Sequence, residues 1–220
     1  ITYPYKERAA ALVHVADPLV RAIGAVNTIV FGADPADRPQ GFNTDYTGFM
    51  AACRQGLGHR APGTVCMIGA GGVGKAIGFG LLGLGADCIR VVDLDPAKAR
   101  DLAAALSTAR TSAKTATRIE VLTDPTQAAR GADGLINCTP LGMVGIGGTP
   151  LPKPAMAGAS WAFDAVYTPV DTDFLRDAQT AGLTIISGYE LFFGQGVDAW
   201  NIFAGLPLDP ATLRAESGHQ

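Results

Sequence analysis

Apolar residues fall along this chain in two alternating kinds of run. Short, dense runs at 64–68, 88–92, 118–121, 134–137, 160–163 and 184–186 predict β-strands. Between them, apolar residues spaced among polar ones at 73–84, 96–106, 125–130 and 172–181 predict helices. Strands separated by helical runs argue for an α/β fold with a parallel sheet covered on both faces. The segment 107–117 is polar, small and rich in Ala and Thr, and reads as a loop.

The pattern is less regular at both ends. Ile1-Thr2-Tyr3 reads as a strand, followed by a helix opening at Pro4. Asp17-Pro18 is an N-cap and first-turn proline for a short helix ending at Gly24. A strand at 25–31 and a Pro- and Asp-rich surface turn at 32–40 follow, and then a helix from Asp45 to about Gln55. The Gly- and Pro-bearing stretch 56–63 reads as a junction. A helical run at 191–203 carries Phe192, Phe193, Trp200 and Phe203, which are expected to pack in the core. A short helix at 209–215 precedes a polar tail that is expected to fray. The chain opens at Ile1 inside a predicted strand, without Met or a signal-peptide pattern, and a further N-terminal segment is expected ahead of it.

The most specific local signal is Gly69-Ala70-Gly71-Gly72-Val73-Gly74. It joins the strand run 64–68 to a helical run, and the next strand run ends in an acid, Asp93. That is the strand–turn–helix–strand–acid order of a dinucleotide-binding βαβ unit. Gly69 permits the tight turn, Gly71 lets the backbone approach a pyrophosphate, and Gly74 lets the helix lie near the strand. The helix N-terminus presents free N–H groups to phosphates.

Composition narrows the alternatives. The 220 residues are 48% hydrophobic and 17% charged, enough for a sizeable core in one large domain or one domain and part of another. A net charge of −3 with no basic stripe argues against nucleic acid as the main partner. No apolar stretch reaches the length of a transmembrane helix, so no membrane partner is expected. Cys53, Cys66, Cys88 and Cys138 form no zinc spacing, and Cys66, Cys88 and Cys138 read as buried thiols. A reducing cytoplasm is the expected setting.

A nicotinamide oxidoreductase acting on an alcohol needs a group to take the hydroxyl proton. His14 lies in a helix-like stretch, His59 in the junction and His219 in the tail, and none is a strong candidate. A Tyr-x-x-x-Lys spacing is absent, and no metal site is expected. Two polar clusters remain. Lys6 stands near a helix start, where the dipole would lower its pKa and favour a role as base. The bland alternative is an exposed surface lysine. Asp45, in Asn43-Thr44-Asp45, is the second candidate, with a simple N-cap as its bland reading.

Thr2-x-Pro4-x-Lys6, Gly24-Ala25-Val26-Asn27-Thr28, Gly41-x-Asn43-Thr44-Asp45-x-x-Gly48-Phe49, Gly69-Ala70-Gly71-Gly72, Asn137-Cys138-Thr139-Pro140-x-Gly142-Met143, Asp164-x-x-Tyr167-x-Pro169 and Gln195 occur in this order. Together, across nearly the whole chain, they resemble the shikimate/quinate dehydrogenase family, most of all its NAD-dependent quinate/shikimate branch. The resemblance implies that Lys6 and Asp45 form the catalytic pair. It implies that Thr2, Asn27 and Gln195 bind substrate hydroxyls and that Tyr167 lines the same cleft. It further implies a Rossmann-type doubly wound sheet at 59–187, with a substrate domain built from 1–58 and the returning helices of 188–220. In the family a Ser-x-Ser or Ser-x-Thr pair ahead of this region holds the substrate carboxylate.

The expected cofactor-binding residues are Gly69, Ala70, Gly71, Gly72, Val73, Gly74, Asp93, Leu94, Thr139, Met143, Val166 and Gly188. Asp93 can accept hydrogen bonds from both ribose hydroxyls and would repel a 2′-phosphate, so NAD is expected and NADP disfavoured. Asp93-Leu94-Asp95 also lacks the Asn-Arg-Thr type of segment of the NADP-using members. The expected reaction is reversible oxidation of quinate or shikimate to the 3-dehydro acid, in quinate catabolism or aromatic amino acid biosynthesis, by a monomer or a homodimer. The competing readings are an aminoshikimate-type or other cyclic hydroxy-acid dehydrogenase, and a dinucleotide-binding regulator without catalysis.

Overall fold

A computed structural model describes residues 1–34, 36–113 and 116–216. The predicted tail at 217–220 with His219, Pro35 of the 32–40 turn, and Lys114 and Thr115 of the 107–117 loop lie outside the described residues. In chain order the elements are α1 (Lys6–Ala10), α2 (Pro18–Ile23), β1 (Thr28–Val30), β2 (Gln40–Phe42), α3 (Asp45–Leu57), β3 (Thr64–Ile68), α4 (Gly72–Gly83), β4 (Cys88–Val92), α5 (Pro96–Ala113), β5 (Arg118–Leu122), α6 (Pro125–Ala129), β6 (Gly134–Asn137), β7 (Trp161–Asp164), α7 (Asp173–Thr180), β8 (Thr184–Ile186), α8 (Gly188–Ala204) and α9 (Pro210–Glu216).

The six strands β3 to β8 form one parallel sheet in the order β5-β4-β3-β6-β7-β8. This is the doubly wound order, whose topological switch point lies beside β3. Alternation along each strand feeds two cores. Val65 and Met67 face one core with Phe49, Ile77 and Leu102, while Cys66 and Ile68 face the other with Ala128, Phe174 and Leu175. Phe49 of α3 meets Phe163 of β7 edge-on at 5.0 Å. All four cysteines are free and buried.

The N-terminal region builds a smaller unit. β1 and β2 pair antiparallel, with Thr28 opposite Phe42. Ala9, Val13, Val20 and Val26 close a third apolar cluster. Helix α8 crosses α3 at two glycines: a Cβ on Gly48 would stand 2.8 Å from the Gln195 nitrogen, and one on Gly194 would stand 3.0 Å from Gly48 Cα.

Several expectations change here. Ile1-Thr2-Tyr3 forms a turn rather than a strand, with the Tyr5 N–H donating to the Thr2 carbonyl. The predicted strand at 25–31 contracts to β1, and the last residue of the predicted turn joins β2. Helix α5 continues to Ala113 instead of stopping at Leu106, and Thr108, Thr111 and Ser112 turn their hydroxyls inward onto carbonyls four residues back rather than breaking it. Ala105 and Ala109 keep that extension packed on the core. Helix α8 begins at Gly188, behind Ser187. Its aromatics do not form core: Phe192, Trp200 and Phe203 are exposed, and Phe193 is half-buried beneath the Arg214 guanidinium. The close crossing spends the buried face of α8 on Leu191 and Val197, and the aromatic stripe falls outside it. No described helix is long and apolar enough to cross a membrane.

Candidate functional site

The glycine turn leaves the C-terminal end of β3, beside the switch point. Gly69 has φ +107°, and a Cβ there would strike the Cys138 carbonyl carbon at 2.7 Å. A Cβ on Gly74 would stand 2.2 Å from the Gly69 oxygen, so only glycine lets α4 begin this close to the strand. A Cβ on Gly71 would meet nothing within 4 Å, and no side chain caps α4. The first N–H groups of a twelve-residue helix therefore face an open approach, the arrangement that suits a pyrophosphate.

Asp93, just past β4, is tied to this turn. Its Oδ2 accepts the Ala70 N–H at 2.7 Å and its Oδ1 accepts the Asp95 N–H at 2.8 Å. A carboxylate has further lone pairs for ribose hydroxyls. Leu94 beside it is fully exposed. The residues present thus fit a dinucleotide: an open glycine cradle, a helix N-terminus without a side-chain cap and an acid fixed beside the turn.

A second cluster forms where α1, α3 and α8 converge. Lys6 Nζ donates to Asp45 Oδ2 at 2.5 Å, with side-chain exposures of 14% and 1%. Lys6 is therefore not a surface lysine. Nor is Asp45 the N-cap of α3: Thr44 holds that position, and Asn43 Oδ1 accepts the Asp45 N–H at 3.0 Å. Both Asp45 oxygens face the cluster, since Oδ1 accepts from Asn27 Nδ2 at 3.0 Å. The same Asn27 amide reaches Thr44 Oγ1 at 3.0 Å and Gln195 Oε1 at 3.1 Å. Asn27 Oδ1 accepts the Thr44 N–H at 2.9 Å, which fixes the amide's orientation.

The two clusters share a wall. A Cβ on Gly72 would stand 3.1 Å from Lys6 Cβ, so the lysine stem lies against the first residue of α4. Glu7 and Lys75 pair across the same seam at 2.9 Å.

Not every expected residue joins these clusters. Thr2 is exposed in the turn before α1, and no side-chain hydrogen bond links it to the cluster among the described residues. Tyr167 stacks on Phe192 at 4.7 Å, one helical turn before Gln195. Val166 and Gly188 are brought together, since a Cβ on Gly188 would stand 2.3 Å from the Val166 oxygen. Thr139 and the half-buried Met143 lie on the loop after β6.

Sequence reasoning assigned no role to the polar pair beneath those loops. Asn137 ends β6, Asp164 ends β7, and the two face each other in register. Both are fully buried, with Asn137 Nδ2 donating to Asp164 Oδ1 at 2.9 Å. Burial pushes the Asp164 carboxyl up to about 6, against hydrogen bonds from Thr172, the Val166 N–H and Asn137 that lower it. The available signal was an acid closing an apolar strand, the same pattern that marks Asp93.

No family model matches the chain. It is 37% identical over 215 residues to quinate/shikimate dehydrogenase (NAD(+)) of Corynebacterium efficiens, covering 98% of this chain and 74% of that protein. It is 36% identical over 223 residues to shikimate dehydrogenase (NADP(+)) of Pseudarthrobacter chlorophenolicus, covering 98% and 72%. The solved structure of quinate dehydrogenase from Corynebacterium glutamicum in complex with NAD matches 98% of this chain and 75% of that one, with TM-score 0.80 and 31% identity. Likeness at this level, in sequence and in fold over nearly the whole length, places the chain in the shikimate/quinate dehydrogenase family.

Proposed function

We propose that the protein is an NAD-dependent dehydrogenase that oxidises quinate, shikimate or both, reversibly, to the 3-dehydro acid. Residues 59–187 would hold the cofactor, and 1–58 with 188–220 would hold the acid. One observation carries the reading: Lys6, paired with buried Asp45, packs its stem on Gly72, so the proton-handling pair and the cofactor turn meet at one seam. NAD, when bound, supplies a hydride acceptor. Lys6 Nζ, as the neutral amine, takes the proton of the reacting hydroxyl as the ring carbon loses hydride, and the ammonium so formed returns it in the reverse direction. Asp45 holds Nζ in place and balances its charge. Asn27 and Gln195 stand beside the pair and orient neighbouring ring hydroxyls.

Asp93 supports the choice of NAD. A carboxylate there would repel a 2′-phosphate, and ribose hydroxyls would instead donate to it in charge-assisted bonds. Relatives that use either cofactor match the chain, so the test is kinetic. Initial rates with each acid should give kcat/KM for NAD at least about tenfold above NADP, a difference of roughly 1.4 kcal/mol. Asp93→Asn should erode the preference mainly by weakening NAD use, because one amide cannot accept both the Ala70 and Asp95 N–H groups and still serve a ribose. Leu94→Arg on that background should raise NADP use. A wild type that prefers NADP would overturn the cofactor assignment.

A further inference from the structure

We propose that Asp164 is a positioning residue that locks the loops following β6 and β7 into a single wall of the cofactor site. The proposal rests on the dinucleotide-dependent reading above. It starts from the strand ends. Asp164 Oδ1 accepts from Asn137 Nδ2 at 2.9 Å and from the Val166 N–H at 2.9 Å, and its Oδ2 accepts from Thr172 Oγ1 at 2.6 Å. One carboxylate therefore grips the neighbouring strand, its own following loop and the cap of α7.

Asn137 passes the constraint on. Its Oδ1 accepts both the Thr139 N–H at 2.9 Å and Thr139 Oγ1 at 2.7 Å, and its Nδ2 also donates to the Leu141 carbonyl at 3.1 Å. The two loops are then tied to each other, with the Val144 N–H donating to the Thr168 carbonyl at 3.0 Å. A Cβ on Gly188 would stand 2.7 Å from the Asp164 backbone carbonyl oxygen, so the start of α8 is seated against the same strand end. These loops leave the C-terminal ends of strands next to the switch point, the side on which a doubly wound sheet takes its dinucleotide.

Folding alone does not call for a charge here. A buried polar group replaced together with its partners by apolar packing often costs little stability, whereas an apolar residue at Asp164 alone strands its donors. What an apolar residue cannot do is accept three donors from three segments at once. The buried carboxyl, raised to about 6, is an ionised acceptor at neutral pH.

The test compares Asp164→Leu, Asp164→Asn and Asn137→Ala in the full chain. NADH affinity is read by nucleotide fluorescence, and KM is measured for NAD and for the acid. Asp164→Leu should weaken NADH binding and raise KM for NAD about tenfold or more, with KM for the acid changing less than about threefold. Asp164→Asn should restore NADH binding to within about threefold of wild type. Its amide oxygen can accept from Asn137 and Val166 while its NH₂ donates to the Thr172 hydroxyl. Asn137→Ala should reproduce the NAD-selective loss, and it carries the test if Asp164→Leu does not fold. Unchanged NADH affinity in Asn137→Ala or in folded Asp164→Leu would overturn the proposal. So would an Asn variant no better than Leu, or equal losses in both KM values. NADH binding needs no turnover, so a wild type that binds NADH and oxidises neither acid counts against the substrate assignment alone. A wild type that binds no NADH overturns both.

Discussion

Removing one member of the Lys6–Asp45 pair should damage the protein in two separable ways. Lys6→Met keeps the stem that packs on Gly72 and deletes only the ammonium. Asp45, 1% exposed, is then left with the Asn27 amide as its side-chain donor among the described residues. Breaking a buried pair this way costs roughly 3–5 kcal/mol. Lys6 retains some contact with water at 14% exposure, so the lower end, about 3 kcal/mol, is expected here. For a chain of this size that lowers Tm by roughly 6–12 °C. Asp45→Leu should cost a similar amount, because it strands the ammonium. The double variant Lys6→Met/Asp45→Leu leaves no charge to strand. Its main loss is one acceptor of an Asn27 amide that keeps Thr44 and Gln195, about 1 kcal/mol. The double variant should therefore be more stable than either single variant, with a coupling of at least about 2 kcal/mol in urea unfolding. Activity should not follow stability. All three variants should lose about 10²-fold to 10⁴-fold in kcat, while NADH binding stays near wild type. Additive stability losses would refute the buried-pair argument. A folded Lys6→Met protein with near-normal kcat would refute the catalytic assignment, whatever its stability.

Two further outcomes follow from the packing. In Gly48→Ala the new methyl would stand 2.8 Å from the Gln195 nitrogen and 2.9 Å from the Leu191 oxygen, both backbone atoms. Helix α8 must retreat by about 0.6 Å, which should cost about 1–3 kcal/mol and raise KM for the acid, since Gln195 moves with it; a thermal melt and acid KM both at wild-type values would contradict the crossing. The second outcome concerns pH. The folded Asp164 carboxyl is raised to about 6, so it favours the proton more than the unfolded chain does. Its contribution to stability is full below about pH 4 and is lost as pH rises through about 6, by at most roughly 3 kcal/mol. Asp164→Asn cannot titrate, so its urea-unfolding free energy relative to wild type should rise between about pH 4 and about pH 7.5. A constant difference across that range would show that the group does not titrate there.

The nucleotide half was legible because its signals are local. Strand runs, the spacing of Gly69, Gly71 and Gly74, and Asp93 at a strand end can all be read within about thirty residues. What was hidden depended on distant partners. Strands β1 and β2 have three residues each and exist through their pairing with one another. Gly41 in β2 gives no strand signal, yet it is glycine because a Cβ there would stand 2.4 Å from Val13 Cγ2. In α5, Thr108, Thr111 and Ser112 look like loop residues until their hydroxyls are seen to bond within the helix. The helical period of α8 was plain, but not which face would be covered, since that was set by Gly48 on another helix. Lys6 and Asp45 lie 39 residues apart, and position alone favoured a surface charge and a cap. Family resemblance, not spacing, first joined them. Asp164 carried the same local mark as Asp93, but its meaning lies in Asn137 and Thr172, which only the fold brings to it.

Gly72 has a consequence for modular exchange. It sits in the nucleotide turn, where glycine is ordinarily credited to phosphate, yet the atom its missing side chain would crowd is Lys6 Cβ in the other unit. The α4 start and the lysine stem are therefore one fitted joint. A foreign nucleotide unit carrying alanine at this place could bind its cofactor normally and still push the lysine aside. Transplanting such units between dehydrogenases would then yield chimeras that hold the dinucleotide and turn over poorly. The repair would lie at a single Cβ in the graft rather than in the substrate pocket.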